Sequence, residues 1–344
     1  MESYFYNHSQ EFKLESGGIL ENFNLAYCTS GRLNEDKSNV IWVCHPLTKG
    51  ADVMSWWSGL FGKDCLFNPE EHYIICVNLL GSCHGSTGAL SNNPKTKQPY
   101  FHDFPFLTIR DIVYTFDVLR NDLGIEKINT LIGGSMGGQL AMEWAVIFPD
   151  AIENLVLLSS NAVQSAWGVA FNEAQRMAIT ADPSWKKSSK KAGVEGLKAA
   201  RAISMLSYRN YETFQKTQTG TSEKALNDFK AASYLQYKGE EITQNFNAYS
   251  YWTLSKAMDS HNIGRGRGGV EKALSKIKAY TQVTGIVSDL LFPIEEQRFL
   301  TRHIPNVTYE EFNSTYGHDG FLIEVKQLEN SLKAFFKQKE RKQI

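Results

Sequence analysis

Six short stretches of this chain are almost continuously apolar and rich in β-branched residues. They are "NVIWVCH" (39–45), "HYIICVN" (72–78), "INTLIGG" (128–134), "ENLVLLSS" (153–160), "AYTQVTGIVSD" (279–289) and "NVTYEEF" (306–312). Runs of this length without polar alternation predict strands buried on both faces of a parallel sheet. Between them lie segments of helical period. "TIRDIVYTFDVLRNDLG" (108–124) closes at Gly124, and "GQLAMEWAVIFPD" (138–150) stops at Pro149. Strand and helix in alternation predict an open α/β sheet.

The rhythm breaks between about 161 and 272, where polar and aromatic residues follow a helical pattern and no strong strand is visible. Strands resume near 279, and an amphipathic helix over 321–338 is expected to finish the chain. The pattern divides into a first core segment (1–160), a helical lid (161–272) and a second core segment (273–344). A helical block inserted late in a doubly wound sheet predicts a lid over the carboxyl ends of the strands. The lysine-rich "KKSSKK" (186–191) reads as a solvated loop of that lid.

Composition narrows the possibilities. The 344 residues are 42% apolar and 21% charged, as expected for a globular protein with a substantial core. A formal net charge of −1 gives no global attraction to nucleic acid or to an anionic membrane. The opening "MESYFYNHSQEFKLESG" lacks a basic segment followed by an apolar one, so no secretory signal is read there. No apolar run approaches the roughly 20 residues that span a bilayer. Five cysteines, all in the first quarter of the chain, form no CxxC pair. They predict reduced thiols in a cytoplasmic protein, with Cys44 and Cys76 in the core.

Candidate chemistry centres on "GGSMG", residues 133–137. It satisfies G-x-S-x-G between a predicted strand and a predicted helix, the setting of a nucleophile elbow. Glycines are needed there because side chains would collide with the neighbouring strand and helix. The helix N-terminus under Ser135 helps hold developing negative charge. A serine nucleophile needs a base, and the base an orienting carboxylate, in the chain order Ser, Asp, His. Asp289 ends the fifth apolar run, and His318 lies in a glycine-bounded loop after the sixth. The oxyanion donors expected are the N–H of Met136, next to the nucleophile, and that of Leu47 in "VCHPLTKG" (43–50). Of the eight histidines, His45 suits that same loop, while His261 and His303 read as surface or cap residues.

Several segments together resemble the homoserine O-acetyltransferases, acyltransferases of the α/β-hydrolase superfamily. They are "CHPLTKG" (44–50), "NLLGSCHGSTGA" (78–89), "HDFPFLTIRDIV" (102–113), "GGSMGGQLAMEWA" (133–145), "FNEAQRMAITADPSW" (171–185), the lid stretch 233–269, "SDLLFPIEEQ" (288–297) and "YGHDGFLIE" (316–324). The resemblance runs from about 40 to 325 and includes lid motifs that ordinary esterases lack. It implies an α/β-hydrolase fold with an inserted helical lid. It also implies transfer of an acetyl group from acetyl-CoA, a substrate rather than a cofactor, to the γ-hydroxyl of L-homoserine through an acyl-serine. Methionine biosynthesis and a homodimer paired through lid helices are implied with it. No metal, nucleic acid or membrane is expected.

A zwitterionic acceptor needs a cation and an anion. Arg176 in the "FNE–QR" segment is the expected carboxylate clamp, Asp319 the expected ammonium partner, and Tyr237 an expected wall of the tunnel. Pro46, Ala89 and Gly320 depart from the family's usual residues, as does a short lid between about 205 and 230. Succinyl as the acyl group, serine as the acceptor, and simple ester hydrolysis therefore stay open.

Overall fold

A computed structural model describes residues 1–220 and 226–343. Its centre is an eight-stranded sheet: β1 (Glu2–His8), β2 (Phe23–Ser30), β3 (Val40–Cys44), β4 (Tyr73–Val77), β5 (Ile128–Gly134), β6 (Ile152–Leu158), β7 (Tyr280–Ile286) and β8 (Val307–Phe312). The spatial order is β1-β2-β4-β3-β5-β6-β7-β8. β2 runs antiparallel to both its neighbours, and every pairing from β4 onward is parallel. The parallel strands at the centre are buried on both faces, which explains why their sequences do not alternate.

Each face of the sheet carries its own core. On one, Trp42 meets Trp144 edge-on at 4.9 Å, beside Phe116. On the other, Trp57, Phe61, Phe67, Phe321 and Phe335 pack together. Helix α1 (Ile109–Asp122) opens with a reciprocal cap, because Thr108 and Asp111 each accept the other's backbone N–H. Helix α2 (Met136–Ile147) starts immediately after Ser135.

Between β6 and β7 the chain forms α3 (Ala166–Ala181), α4 (Val194–Tyr208), α5 (Tyr211–Gln218), α6 (Lys230–Asn245) and α7 (Ala248–Asp259). Helix α4 lies between α3 and α6. The strands of chain entering and leaving this block pair with one another. The Gln164 N–H donates to the His261 carbonyl at 2.9 Å, and the Ile263 N–H to that of Ala162 at 3.0 Å. The chain finishes with α8 (Ile294–His303), a short turn (Gly320–Ile323) and α9 (Val325–Gln343).

Several boundaries differ from the sequence pattern. The fifth apolar run leaves the sheet at Ile286, so Asp289 sits in a turn rather than on a strand. The last helix begins at Val325, because the Gly320–Ile323 turn precedes it. β1 and β2 carry no continuous apolar run, and β1 is an edge strand exposed along most of its length. His261 is not a surface residue: it is 2% exposed, and its Nε2 donates to the Asn161 carbonyl at 2.9 Å. Packing of the returning lid segment against the core decides that burial. His303 ends α8 and remains partly exposed. Lys186–Lys191 is exposed, and Cys44 and Cys76 are buried. The region noted as short, 205–230, includes residues 221–225 outside those described. No described helix is long and apolar enough to cross a membrane.

Candidate active site

Ser135 caps α2 with φ +57° and ψ −127°, a conformation that costs a non-glycine residue steric strain. Its surroundings hold it there. The Ser135 N–H donates to the Leu158 carbonyl at 2.9 Å. Its own carbonyl accepts from the Gly138 N–H (2.9 Å), the Gln139 N–H (3.2 Å) and the Ser160 hydroxyl (3.0 Å). A Cβ at Gly133 would overlap the Gly137 carbonyl, one at Gly134 the Phe321 ring, and one at Gly137 the Cys44 carbonyl. The glycines therefore allow β5, α2 and β3 to close on the serine.

Asp289 and His318 meet although 29 residues apart in sequence. The His318 Nδ1 donates to Asp289 Oδ2 at 2.7 Å, while Asp289 Oδ1 accepts from the Leu291 and Phe292 N–H groups at 2.8 and 2.9 Å. The carboxylate is fully buried and the imidazole nearly so. Phe292 stacks on the imidazole at 5.2 Å, with Phe321 edge-on at 5.4 Å. Burial alone would lower the basicity of His318. The Asp289 carboxylate outweighs it, Asp319 adds to the effect, and the pKa lies above the ordinary histidine value.

Ser135 and His318 open on one cavity of about 500 Å³, walled by the loop after β3, by α4 and α6, and by the Gly317–Ile323 segment. Leu47 lines it, and Met136 provides the first N–H of α2. Neither backbone N–H is engaged by another acceptor among the described residues. Lys49, Arg201, Arg209 and Lys238 bring four positive charges to the cavity, against Asp319 and Glu241.

A family model of the alpha/beta hydrolase fold matches residues 39–325. The homoserine O-acetyltransferase of Cyclobacterium marinum is 52% identical, covering 95% of this chain and 93% of its own. The chain belongs to the homoserine O-acetyltransferase family. The solved homoserine O-acetyltransferase from Staphylococcus aureus superposes with a TM-score of 0.80 at 27% identity, covering 97% of this chain and 95% of that one. An acetylester hydrolase from Corynebacterium glutamicum superposes at 0.87 with 24% identity, covering 98% and 96%. At that identity the second likeness is one of fold alone.

Within this member of the homoserine O-acetyltransferase family, the expected substrate contacts divide. Asp319 lines the cavity beside His318, with its Oδ2 3.0 Å from Arg209 Nε. That contact is a charge pair without hydrogen-bond alignment, so the carboxylate keeps hydrogen-bonding capacity. Arg176 is elsewhere, and its assignment as the clamp is corrected. It is 1% exposed between α3 and α7, bound by Glu173, Asp259 (2.5 Å) and Ser255 (3.2 Å), and does not line the cavity. Tyr237 is also corrected: it is 59% exposed on α6, with the Lys238 ammonium over its ring, while the next turn faces the cavity.

Arg201 is the cation the sequence reading missed. It lines the cavity from α4, its Nη1 is buried without a hydrogen-bond partner among the described residues, and Tyr208 packs beneath it at 5.5 Å. A buried guanidinium N–H without an acceptor is costly unless a ligand supplies one. Its place one helix further along the lid leaves no local motif to mark it. Lys49 likewise forms no ion pair among the described residues. Burial, and after it Arg201, holds its pKa below the ordinary lysine value.

Proposed function

We propose that this protein transfers an acetyl group from acetyl-CoA to the γ-hydroxyl of L-homoserine through an acetyl-Ser135 intermediate, in methionine biosynthesis. The observation that carries the proposal is the hydrogen-bonded Asp289–His318 pair opening with strained Ser135 on a cationic, lid-covered cavity. Nothing beyond the two substrates is called on as a cofactor. Ser135 Oγ attacks the thioester carbonyl while His318 takes its proton. The oxyanion is held by the Leu47 and Met136 N–H groups. The C–S bond breaks, and His318 returns the proton to the departing sulfur. Homoserine then enters, His318 takes its hydroxyl proton, and the acetyl group leaves Ser135, which recovers a proton from His318.

Arg201 would bind the acceptor's carboxylate and Asp319 its ammonium, with Lys49 free to meet the acyl-CoA. The lid favours an amino-acid hydroxyl over water by covering the acyl-serine. A homodimer through the lid accords with the exposed Tyr211, Phe229 and Tyr237 on α5, at the start of α6 and along it.

Thiol release measured with acetyl-CoA and succinyl-CoA, each with homoserine, serine or no acceptor, tests the reading. Release dependent on acetyl-CoA and homoserine together is expected. Equal release without an acceptor would make the protein a hydrolase, and preference for succinyl-CoA or serine would reassign the substrate.

A further inference from the structure

His45 follows β3 and is fully buried, yet it takes no part in the proton transfers. Its two ring nitrogens have different partners. Nδ1 lies 2.9 Å from the carbonyl oxygen of Pro46, and Nε2 lies 3.3 Å from the backbone nitrogen of Leu79, just beyond β4. A carbonyl can only accept and a backbone N–H can only donate. Both bonds therefore form only in the neutral tautomer that carries its proton on Nδ1. Burial favours that neutral state, holding the pKa down at about 4 against the Pro46 bond.

The Pro46 carbonyl and the Leu47 N–H belong to one planar peptide group. In the trans form its C=O and N–H point in opposite directions. Fixing the oxygen on the imidazole therefore turns the Leu47 N–H away from His45, and Leu47 lines the cavity together with Ser135. The Lys49 N–H donates to the same carbonyl at 3.1 Å, closing a turn that restrains the peptide from its other end. Leu79 N–H ties the imidazole to the neighbouring strand, so the ring is held as well as holding.

We infer that His45 is a positioning residue of the oxyanion hole, orienting the Pro46–Leu47 peptide so that its N–H meets the charge developing beside Ser135. The inference rests on the reading of Ser135 as nucleophile and Leu47 as donor. Its effect belongs to the transition state, so it should appear in the rate of acylation and not in substrate affinity.

Two substitutions separate the two ring bonds. Asn carries an N–H near the place of Nδ1 and keeps the bond to Pro46, losing that to Leu79. Gln offers an acceptor near Nε2 for Leu79 and loses Pro46. Acetylation of Ser135 is followed in the pre-steady state with p-nitrophenyl acetate, which requires neither CoA nor homoserine, in variants whose circular dichroism matches the wild type. His45→Gln should slow acylation at saturating ester by roughly tenfold or more, below the ~10²–10³ that loss of a whole oxyanion donor costs. Its KM for acetyl-CoA should be unchanged, and His45→Asn should recover most of the rate. Wild-type acylation with both variants fast, or both equally slow, would overturn the inference alone. If His45→Gln does not fold, a slow His45→Asn overturns it and a fast one supports it. A wild-type enzyme that is not acetylated on Ser135 would overturn both this inference and the reading beneath it.

Discussion

Ser135 is held in a left-handed backbone conformation by four hydrogen bonds, so its hydroxyl can be deleted without disturbing the turn. Ser135→Ala should therefore fold normally and lose both thiol release and the acetyl adduct seen by intact-mass spectrometry. His318→Ala should lower kcat by roughly 10⁴-fold; near-wild-type turnover in either variant would reject the assignment. Asp289 raises the His318 pKa, and the imidazole must be neutral to act as base. Asp289→Asn removes that stabilisation of the protonated ring. The acid limb of kcat/KM should then move to lower pH, with the plateau also falling. A limb that stayed in place or moved up would mean that another group sets it. The two arginines separate similarly. Arg201→Ala should raise the homoserine KM by roughly tenfold or more while leaving acetylation of Ser135 intact. Arg176→Ala should leave that KM alone and cost about 3 kcal/mol in urea unfolding, because it strands the half-buried Asp259.

At the level of elements, the elbow depends on how closely β3, β5 and α2 approach. Gly137 is the tightest point, where a methyl group would meet the backbone carbonyl of Cys44 rather than a movable side chain. Gly137→Ala should lower the Tm by several degrees and slow acylation of Ser135, since α2 must shift away from β3 and carry the Met136 N–H with it. An unchanged Tm with full activity would show that the strand and helix have slack. Gly134 faces the Phe321 ring, which can yield, so the same change there should cost less. The contrast arises because backbone cannot rotate out of the way.

Across the whole molecule, a buried polar network joins the elbow, the base of the lid and α8. Gln139 on α2 donates to Asn161 and Gln164, Asn161 donates to Glu296 on α8, and Gln297 donates to the Ser160 carbonyl. Burial raises the Glu296 carboxyl to about 7, against the bonds from Asn161 and Ser165 and with the help of the Asp289 charge. The folded state thus keeps a proton that the unfolded chain releases near the ordinary glutamate value. Stability from this group is complete below that value and is lost as pH rises to about 7. Glu296→Gln should abolish this slope. Relative to wild type, its Tm should gain a few degrees between about pH 4.5 and 7 and stay level above that. A constant Tm difference across the range would mean Glu296 titrates normally.

The sequence by itself determined the sheet's interior and the elbow. Strands buried on both faces need continuous apolar runs, and a strand-to-helix turn this tight needs glycines at fixed offsets, so both leave local marks. The chain order Ser135, Asp289, His318 was legible too, since each closes or follows one of those apolar runs. The edge strand β1 was not, because half-exposed edges impose no apolar pattern. The burial of His261 and the pairing of Arg176 with Asp259 were decided only by tertiary packing. Arg176 and Arg201 both stand on amphipathic lid helices, and nothing in their local sequence says which of the two faces the cavity. Tertiary packing added Asp259 to the first and left the second facing the cavity without a carboxylate partner among the described residues.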